Sequence, residues 1–299
     1  ISSNNLIFEL SQINVGNLDA GESIDLGNIT YFEVSQSALE GSVEEIIVNV
    51  YDGYNVISSN SLTILIGQPE VAINEEFEIQ SSWIAGVNGD DASAGIWERA
   101  IPNPTYDDNG QIIQPDFDHT ENGQYCFVTG NAVSQNDSEF GFDDVDGGKT
   151  TLYSPIFNID GLNEVIVTYW RWYTNNVGDN GNNDKWIVSV SENGINWTDL
   201  ENTTQSNTSW EKQRFILSNY INLNQSIQFK FIAEDIFYDG DDGSGGSLVE
   251  AAIDNFIIEY IGENTNLTGD LNNDSNIDVL DVVLIVNMIL NNDNNNPNA

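Results

Sequence analysis

Short runs of alternating apolar and polar residues make up most of the chain before about residue 262, for example LIFELSQINV, SIDLGNITYFEV and EEIIVNVYD. Alternation of this kind is typical of β-strands, because successive side chains point to opposite faces of a sheet. Clusters of Gly, Asn and Asp separate the runs and predict turns. Helical periodicity is absent from this part of the sequence. We therefore predict an all-β fold up to the tail.

The tail is predicted to be a helix preceded by a calcium loop. Residues 279–290, VLDVVLIVNMIL, are apolar and contain neither Gly nor Pro, which predicts a helix. In the run DLNNDSNIDVLD (270–281), which leads into this helix, oxygen-bearing residues recur at positions 1, 3, 5, 7, 9 and 12. This is the spacing of an EF-hand-type calcium loop. The predicted ligands are Asp270, Asn272, Asp274, the Asn276 carbonyl, Asp278 and Asp281. An Asn- and Asp-rich solvated tail is the alternative interpretation.

This loop and its exiting helix, GDLNNDSNIDVLDVVLIVNMIL, resemble one repeat of a dockerin. The resemblance implies bound calcium and a cohesin-like protein partner. Two features depart from the dockerin pattern. Ser275 stands where Gly eases the sharp turn, and residues 291–299 form no second repeat.

The central region resembles a MAM-type jelly roll in four segments, which are FDHTENGQYCFVTG (117–130), TTLYSPIF (150–157), EVIVTYWRWY (164–173) and AIDNFIIEY (252–260). The same region resembles the β-domain appended to secreted bacterial zinc carboxypeptidases. Residues 20–53 resemble the later strands of an immunoglobulin-like module. We therefore predict three parts, which are a truncated immunoglobulin-like module (1–68), a MAM-like jelly-roll β-sandwich (69–262) and a dockerin-like repeat with its tail (263–299).

The jelly-roll resemblance implies a second calcium site, where the first and last strands meet. The matching acidic residues are Glu78 and Asp254, with Asp118 as a third candidate. Carboxylate oxygens suit calcium rather than zinc. The alternative is that Glu78 and Asp254 cap strands or face water. Solvated loops are expected for five other acids, Asp90, Asp91, Asp143, Asp144 and Asp146.

Aromatic residues supply the candidates for ligand binding. In YWRWY (169–173), alternation directs Trp170 and Trp172 to one face and Tyr169, Arg171 and Tyr173 to the other. One face belongs to the core, and the other either packs or stacks on sugar rings. Arg171 is expected to pair with a carboxylate. The candidate ligand-binding residues are Trp172, Trp97 and Tyr238, the last in a Gly- and Asp-rich loop.

Composition narrows the function. With 48 acidic and 7 basic residues the formal net charge is −41. This charge excludes nucleic acid as a binding partner and disfavours binding to anionic membranes. The lone Cys126 forms no internal disulfide and is expected to be a buried, inert thiol. No segment is long and apolar enough for membrane insertion.

We therefore predict a non-catalytic, secreted or cell-surface accessory module that binds carbohydrate or protein and is stabilised by calcium. Because the sequence starts at Ile1, we expect a processed protein or a fragment of a longer one. A glycosidase-type hydrolase acting through paired carboxylates and a structural spacer on a cell-surface protein are the alternatives. Neither a nucleophile elbow nor a zinc-peptidase motif is present in the sequence.

Overall fold

The computed structural model describes residues 1–3, 5–19, 22–27, 30–35, 38, 41–107, 109–131, 143–178, 180–223, 225–236, 246–261 and 279–291. The chain divides into two compact units, one of residues 70–260 and one of residues 1–69 together with 261–299. The regular elements among the described residues are β-strands, apart from a short 3₁₀ turn at Leu217–Asn219 and one α-helix, α1, at Val279–Asn291. The strands are β1 Leu6–Phe8, β2 Phe32–Val34, β3 Val43–Asp52, β4 Asn55–Leu65, β5 Pro69–Glu75, β6 Ile84–Ala85, β7 Trp97–Ala100, β8 Cys126–Thr129, β9 Gly148–Tyr153, β10 Phe157–Asn158, β11 Ile166–Gly178, β12 Lys185–Ser191, β13 Thr198–Thr203, β14 Asn207–Ile216, β15 Ser226–Asp235 and β16 Ser247–Ile261.

The unit of residues 70–260 is built from two six-stranded sheets. The first runs in the order β14-β11-β16-β8-β7, with β5 also paired to β16. The second runs β13-β12-β15-β9-β6, with β10 also paired to β15. The pairs β11-β14, β11-β16, β12-β15 and β15-β9 are antiparallel, as hairpin-rich sequences favour. The prediction of an all-β chain containing a sandwich is confirmed.

The core lies between the two sheets. Alternate residues of β11, β12, β15 and β16 enter one apolar cluster, whose largest fully buried members are Trp186, Tyr169, Tyr173, Phe77, Phe229, Phe231 and Phe256. The aromatic rings meet mainly edge to face, for example Phe231 against Tyr169 at 5.1 Å between centroids. Burial of these side chains, at about 25 cal/mol per Å² of apolar surface, is the main force holding the sheets together.

A buried ionic network ties the edges of the two sheets. Arg171 on β11 reaches Glu201 on β13 at 3.3 Å and Glu211 on β14 at 3.1 Å. The Tyr169 hydroxyl and the Trp186 indole N–H both donate to Glu201 Oε1. The expectation that Arg171 pairs with a carboxylate is confirmed.

The other unit contains two small antiparallel ribbons, β1-β2 and β3-β4, and helix α1. The helix predicted over 279–290 is confirmed. Among the described residues, no helix is both long and apolar enough to cross a membrane.

Candidate functional site

Strand β11 presents aromatic residues on both faces of its sheet. Tyr169 and Tyr173 enter the core, whereas Trp170 and Trp172 point to the outer face, away from the second sheet. The predicted division of YWRWY between two faces is confirmed. Trp172 is 2% exposed and packs in a small outer cluster with Cys126, Val128 and Ala252. The Cys126 thiol is fully buried, and burial raises its pKa, as expected for an inert thiol.

A third tryptophan, Trp210 of β14, lies on the outer face beside a bulge. The pairing of β11 with β14 passes from Arg171–Glu211 to Tyr173–Asn207, so residues 208–210 lie opposite Trp172 alone. Trp210 packs edge to face on Trp172, with 6.2 Å between ring centroids and 74° between planes.

The loop between β7 and β8 covers part of this face, and the tryptophans hold it there. Trp172 Nε1 donates to the Ile113 carbonyl at 2.6 Å, and Trp210 Nε1 donates to the Phe117 carbonyl at 3.1 Å. Each indole therefore has its polar atom bonded to the loop and its apolar ring against the sheet. This arrangement fixes the ring orientations before any ligand arrives.

His119 closes the site over Trp170. The imidazole stacks on the indole with 3.7 Å between centroids and 18° between planes. The backbone N–H of His119 donates to Asp254 Oδ2 at 2.7 Å, and the backbone N–H of Thr120 donates to the same oxygen at 2.9 Å. Asp254 therefore anchors the loop that carries His119. Burial raises the pKa of Asp254 to about 7, although these N–H groups favour its charged form.

A second bulge, in β16, makes this anchoring possible. The register with β11 passes from Ile257–Thr168 to Asp254–Trp170, and Asn255 adopts a positive φ of 47°. The side chains of Asp254 and Asn255 consequently both bond to the loop on the outer side, while Phe256 packs in the core. An ordinary strand would alternate and send Asn255 inward.

The hydrogen bond from Asn255 selects one tautomer of His119. The Asn255 side-chain nitrogen lies 2.8 Å from His119 Nδ1, and Thr120 Oγ1 donates to Asn255 Oδ1 at 2.7 Å. Since an amide nitrogen only donates, His119 Nδ1 accepts, and the ring proton resides on Nε2. Burial lowers the pKa of His119, which also favours the neutral ring.

These elements enclose an outer-face cavity of about 380 Å³, called here the aromatic groove. It is lined by Ile112, Asp116, Phe117, His119, Trp170, Trp172, Thr208, Ser209 and Trp210. The lining combines flat rings with a few polar groups, the composition expected of a small-molecule or sugar site. Sequence reasoning named Trp172. It missed Trp210 and His119, because the pairing of β14 with β11 and the loop that carries His119 depend on contacts distant in sequence.

The predicted calcium acids Glu78, Asp118 and Asp254 lie close to one another. A Cβ at Gly123 would meet Asp118 Oδ2 at 2.2 Å and Glu78 Oε1 at 2.6 Å, so these carboxylates crowd the same point. Asp118 Oδ2 is buried and has no hydrogen-bond partner among the described residues. Burial, and then the neighbouring Glu78 charge, raise the pKa of Asp118.

This cluster is only partly organised as a metal site. Glu78 Oε1 also accepts from the Gln124 and Tyr125 N–H groups, both at 3.0 Å, and Asp254 anchors the His119 loop. Among the described residues, no set of three acidic, His or Cys side chains is arranged to hold a metal by itself. Glu78 and Asp118 fit a calcium ion as a pair of hard ligands, and backbone oxygens would have to complete the shell.

The remaining predicted site residues lie elsewhere. Trp97 is 2% exposed and sits in the core, where its indole N–H donates to the Thr150 carbonyl at 3.3 Å, so it offers no ring face to a ligand. Tyr238 and five of the tail-loop ligands, Asp270, Asn272, Asp274, Asn276 and Asp278, lie outside the described residues. Asp281 occupies the first turn of α1 and is 1% exposed.

Asp144 and Glu250 are among the buried acids that were not anticipated. Asp144, expected in a solvated loop, is 3% exposed, and burial raises its pKa to about 8. That expectation was wrong, because the N–H of the following Val145 pairs with the Val249 carbonyl and draws the loop against β16. Glu250 is 2% exposed, and burial raises its pKa well above the ordinary range.

Comparison with known proteins gives weak structural likenesses. No protein-family model and no curated protein sequence matches the chain. A family 61 carbohydrate-binding module solved with β-1,4-galactotriose is similar with a TM-score of 0.35 and 14% identity, over 62% of this chain and 92% of that one. The K1 cleaved adhesin domain of Lys-gingipain from Porphyromonas gingivalis W83 gives 0.34 and 13%, over 64% and 98%. The C-terminal family 22 carbohydrate-binding module of Clostridium thermocellum Xyn10B gives 0.34 and 8%, over 64% and 95%. TM-scores of this size are low and carry neither ligand nor activity over to this chain.

Proposed function

We propose that residues 70–260 form a non-catalytic carbohydrate-binding module whose binding site is the aromatic groove. The observation that carries this proposal is the fixed geometry of its rings. Sugar rings present apolar C–H faces, and flat aromatic side chains offer matching surfaces. Trp172 and Trp210 have their N–H groups bonded to the covering loop, so their rings are held in place at no further entropic cost on binding.

The polar groups of the groove suit recognition of hydroxyl groups. His119 offers a fixed Nε2–H donor, and Thr208 and Ser209 add hydroxyls beside the rings. A few oriented polar groups among aromatic walls set specificity in such sites.

Carboxylate content favours binding over hydrolysis. A glycosidase needs two carboxyl groups flanking the scissile bond. Within the described lining of the groove, Asp116 is the one carboxylate. The buried acids Asp144 and Glu250 are not among the lining residues.

Substitution of Trp210 tests the proposal. Trp210 is half-buried in the groove wall, and Trp210→Ala should reduce affinity for the bound polysaccharide at least about tenfold, as aromatic anchors do. Affinity electrophoresis and calorimetry against xylan, β-1,4-galactan, mixed-linkage glucan and acidic polysaccharides would measure this. Trp197→Ala is the matched control, because Trp197 is half-buried outside the groove. Binding of the parent to no polysaccharide, or equal binding by the parent and Trp210→Ala, would contradict the proposal.

We propose further that calcium stabilises this module at Glu78 and Asp118, beside Asp254. Support comes from the convergence of two carboxylates on Gly123 and from the unbonded Asp118 Oδ2. The tail loop from Asp270 to Asp281 remains a second proposed calcium site, which rests on its ligand spacing.

The wider context is also a proposal. A chain of net charge −41 with acidic metal sites suits a calcium-rich extracellular setting. We therefore place the module in a secreted or surface-attached protein. Its resemblance to regions appended to zinc carboxypeptidases, and the dockerin-like tail with a cohesin-like partner, belong to this proposal.

A further inference from the structure

The outer side of β14 continues beyond the groove as a line of basic residues. In the run WEKQR, alternation sends Trp210, Lys212 and Arg214 outward. Glu211 on the opposite side of the strand bonds Arg171, which confirms the phase of the alternation. Lys212 and Arg214 are both exposed.

Strand register places Lys212 at the border of the groove. Lys212 lies directly opposite Trp170, and Arg214 lies opposite Thr168. Directly opposed residues share a face, with Cβ atoms about 5 Å apart. Arg214 follows about 7 Å further along the strand. A ligand leaving the rings of Trp170 and Trp210 along β14 would therefore meet two cations in succession.

These cations are unusual for this chain. It has 7 basic residues against 48 acidic ones, yet two of the seven stand side by side at the groove. Within the described part of the chain, the ion pairs found both involve Arg171, so neither Lys212 nor Arg214 has a carboxylate within salt-bridge distance. Their charge is available to a ligand.

We infer that the groove binds an acidic glycan, with a sugar ring on the aromatic groove and a carboxylate or sulfate held by Lys212 and Arg214. This inference rests on the proposed carbohydrate-binding function. Charge-assisted hydrogen bonds from Arg and Lys to such anions are among the stronger polar contacts. Acidic residues farther away than the Debye length, about 8 Å at about 0.15 M salt, oppose them only weakly. Asp116 is the one carboxylate in the described lining of the groove.

β14 is also an edge strand, where basic residues protect against edge-to-edge association. Such a protective role predicts changes in aggregation and no change in ligand preference. The two roles therefore separate experimentally.

Matched polymers that differ only in charge provide the test. The pairs are de-esterified against methyl-esterified polygalacturonan, polymannuronate against mannan, and a carrageenan against its desulfated form. Affinity electrophoresis and calorimetry on the full chain should give at least one acidic polymer that binds about tenfold more tightly than its neutral partner. The carboxylated and sulfated pairs tell the two anions apart. The preference should weaken as salt increases.

Variants assign the effect to the two cations. The double variant Lys212→Gln with Arg214→Gln should abolish the preference for the acidic polymer and retain residual neutral binding. Lys185→Gln, a lysine of the other sheet, should leave the preference intact. Equal affinity for both members of every pair, or an unchanged preference in the double variant, would overturn the inference while the carbohydrate-binding proposal stands. Loss of solubility by the double variant with unchanged preference would assign the cations to edge protection. Absence of binding to all polymers, neutral and acidic, would instead reject the carbohydrate-binding proposal.

Discussion

At the scale of single residues, Glu250 controls how the covering loop is attached to the sheet. It accepts hydrogen bonds from Thr105 at 3.3 Å and from Gln114 Nε2 at 3.0 Å, both in the loop that forms one wall of the aromatic groove. Burial, and then the neighbouring Asp144 charge, raise the pKa of Glu250 well above its ordinary value of 4.5. This shift favours the protonated, neutral form of the Glu250 carboxyl group over the anion. Thr105 and Gln114 therefore bond to a group whose neutral form is favoured by its surroundings.

Substituting Glu250 should change the pH dependence of stability. Because its pKa is higher in the folded than in the unfolded state, its contribution is full below about pH 4.5 and is lost as pH rises through the folded value. Glu250→Gln removes this loss. Its melting temperature should match the parent at pH 4. At pH 9 it should exceed the parent by roughly 2–4 °C for each kcal/mol of unfolding free energy that the parent has lost. Thermal denaturation across this range measures the effect, with exposed Glu121→Gln as the control. A shift of equal size at both pH values would contradict the argument.

At the scale of elements, sequence reasoning succeeded where periodicity is local and failed where pairing is distant. Alternation in YWRWY assigned both faces of β11. The bulges at 208–210 and at Asn255 were not predicted, because each is a mismatch in register between strands far apart in sequence. The pairing that sets Trp210 beside Trp172, and the β16 bulge that serves the loop of His119, therefore could not be foreseen.

The β16 bulge makes a prediction about Asn255. Its φ of 47° suits Gly and Asn and disfavours other residues. Asn255→Ala should therefore cost about 1 kcal/mol more unfolding free energy than Asn255→Gly, which denaturant titration would measure. Both variants lose the bond to His119 Nδ1, so both should bind polysaccharide more weakly. An Ala variant as stable as the Gly variant would contradict the argument from the φ of Asn255. Unchanged binding by both variants would show that the bond to His119 does not support the site.

At the scale of the whole molecule, the dominant feature is the net charge of −41. Self-repulsion of this size opposes compaction. The structure adds to this repulsion, because the oxygens of Glu78 and Asp118 meet where Gly123 lacks a Cβ, and Asp254 lies near enough to interact with Asp118 electrostatically. Burial, and after it the neighbouring carboxylates, raise the pKa of Asp118 and Asp254, so ionising these groups is costly. A bound cation would offset that cost and link Glu78 to Asp118, 40 residues further along the chain.

Calcium should therefore raise the stability of the full chain, and Asp118 should carry part of the effect. A ligand that binds only the folded state stabilises it by about 2.7 kcal/mol at a hundredfold excess over its dissociation constant. We expect excess calcium to raise the melting temperature relative to EDTA, and Asp118→Asn to reduce that rise. Asp160→Asn, which removes an exposed charge of the same unit, should leave the rise unchanged. Because the tail loop also predicts calcium uptake, Asp281→Asn tests that contribution separately, and its effect should add to that of Asp118→Asn if the sites are independent. An identical calcium response in the parent and Asp118→Asn would remove the site at Glu78 and Asp118. A response abolished by Asp281→Asn alone would assign all of the calcium effect to the tail.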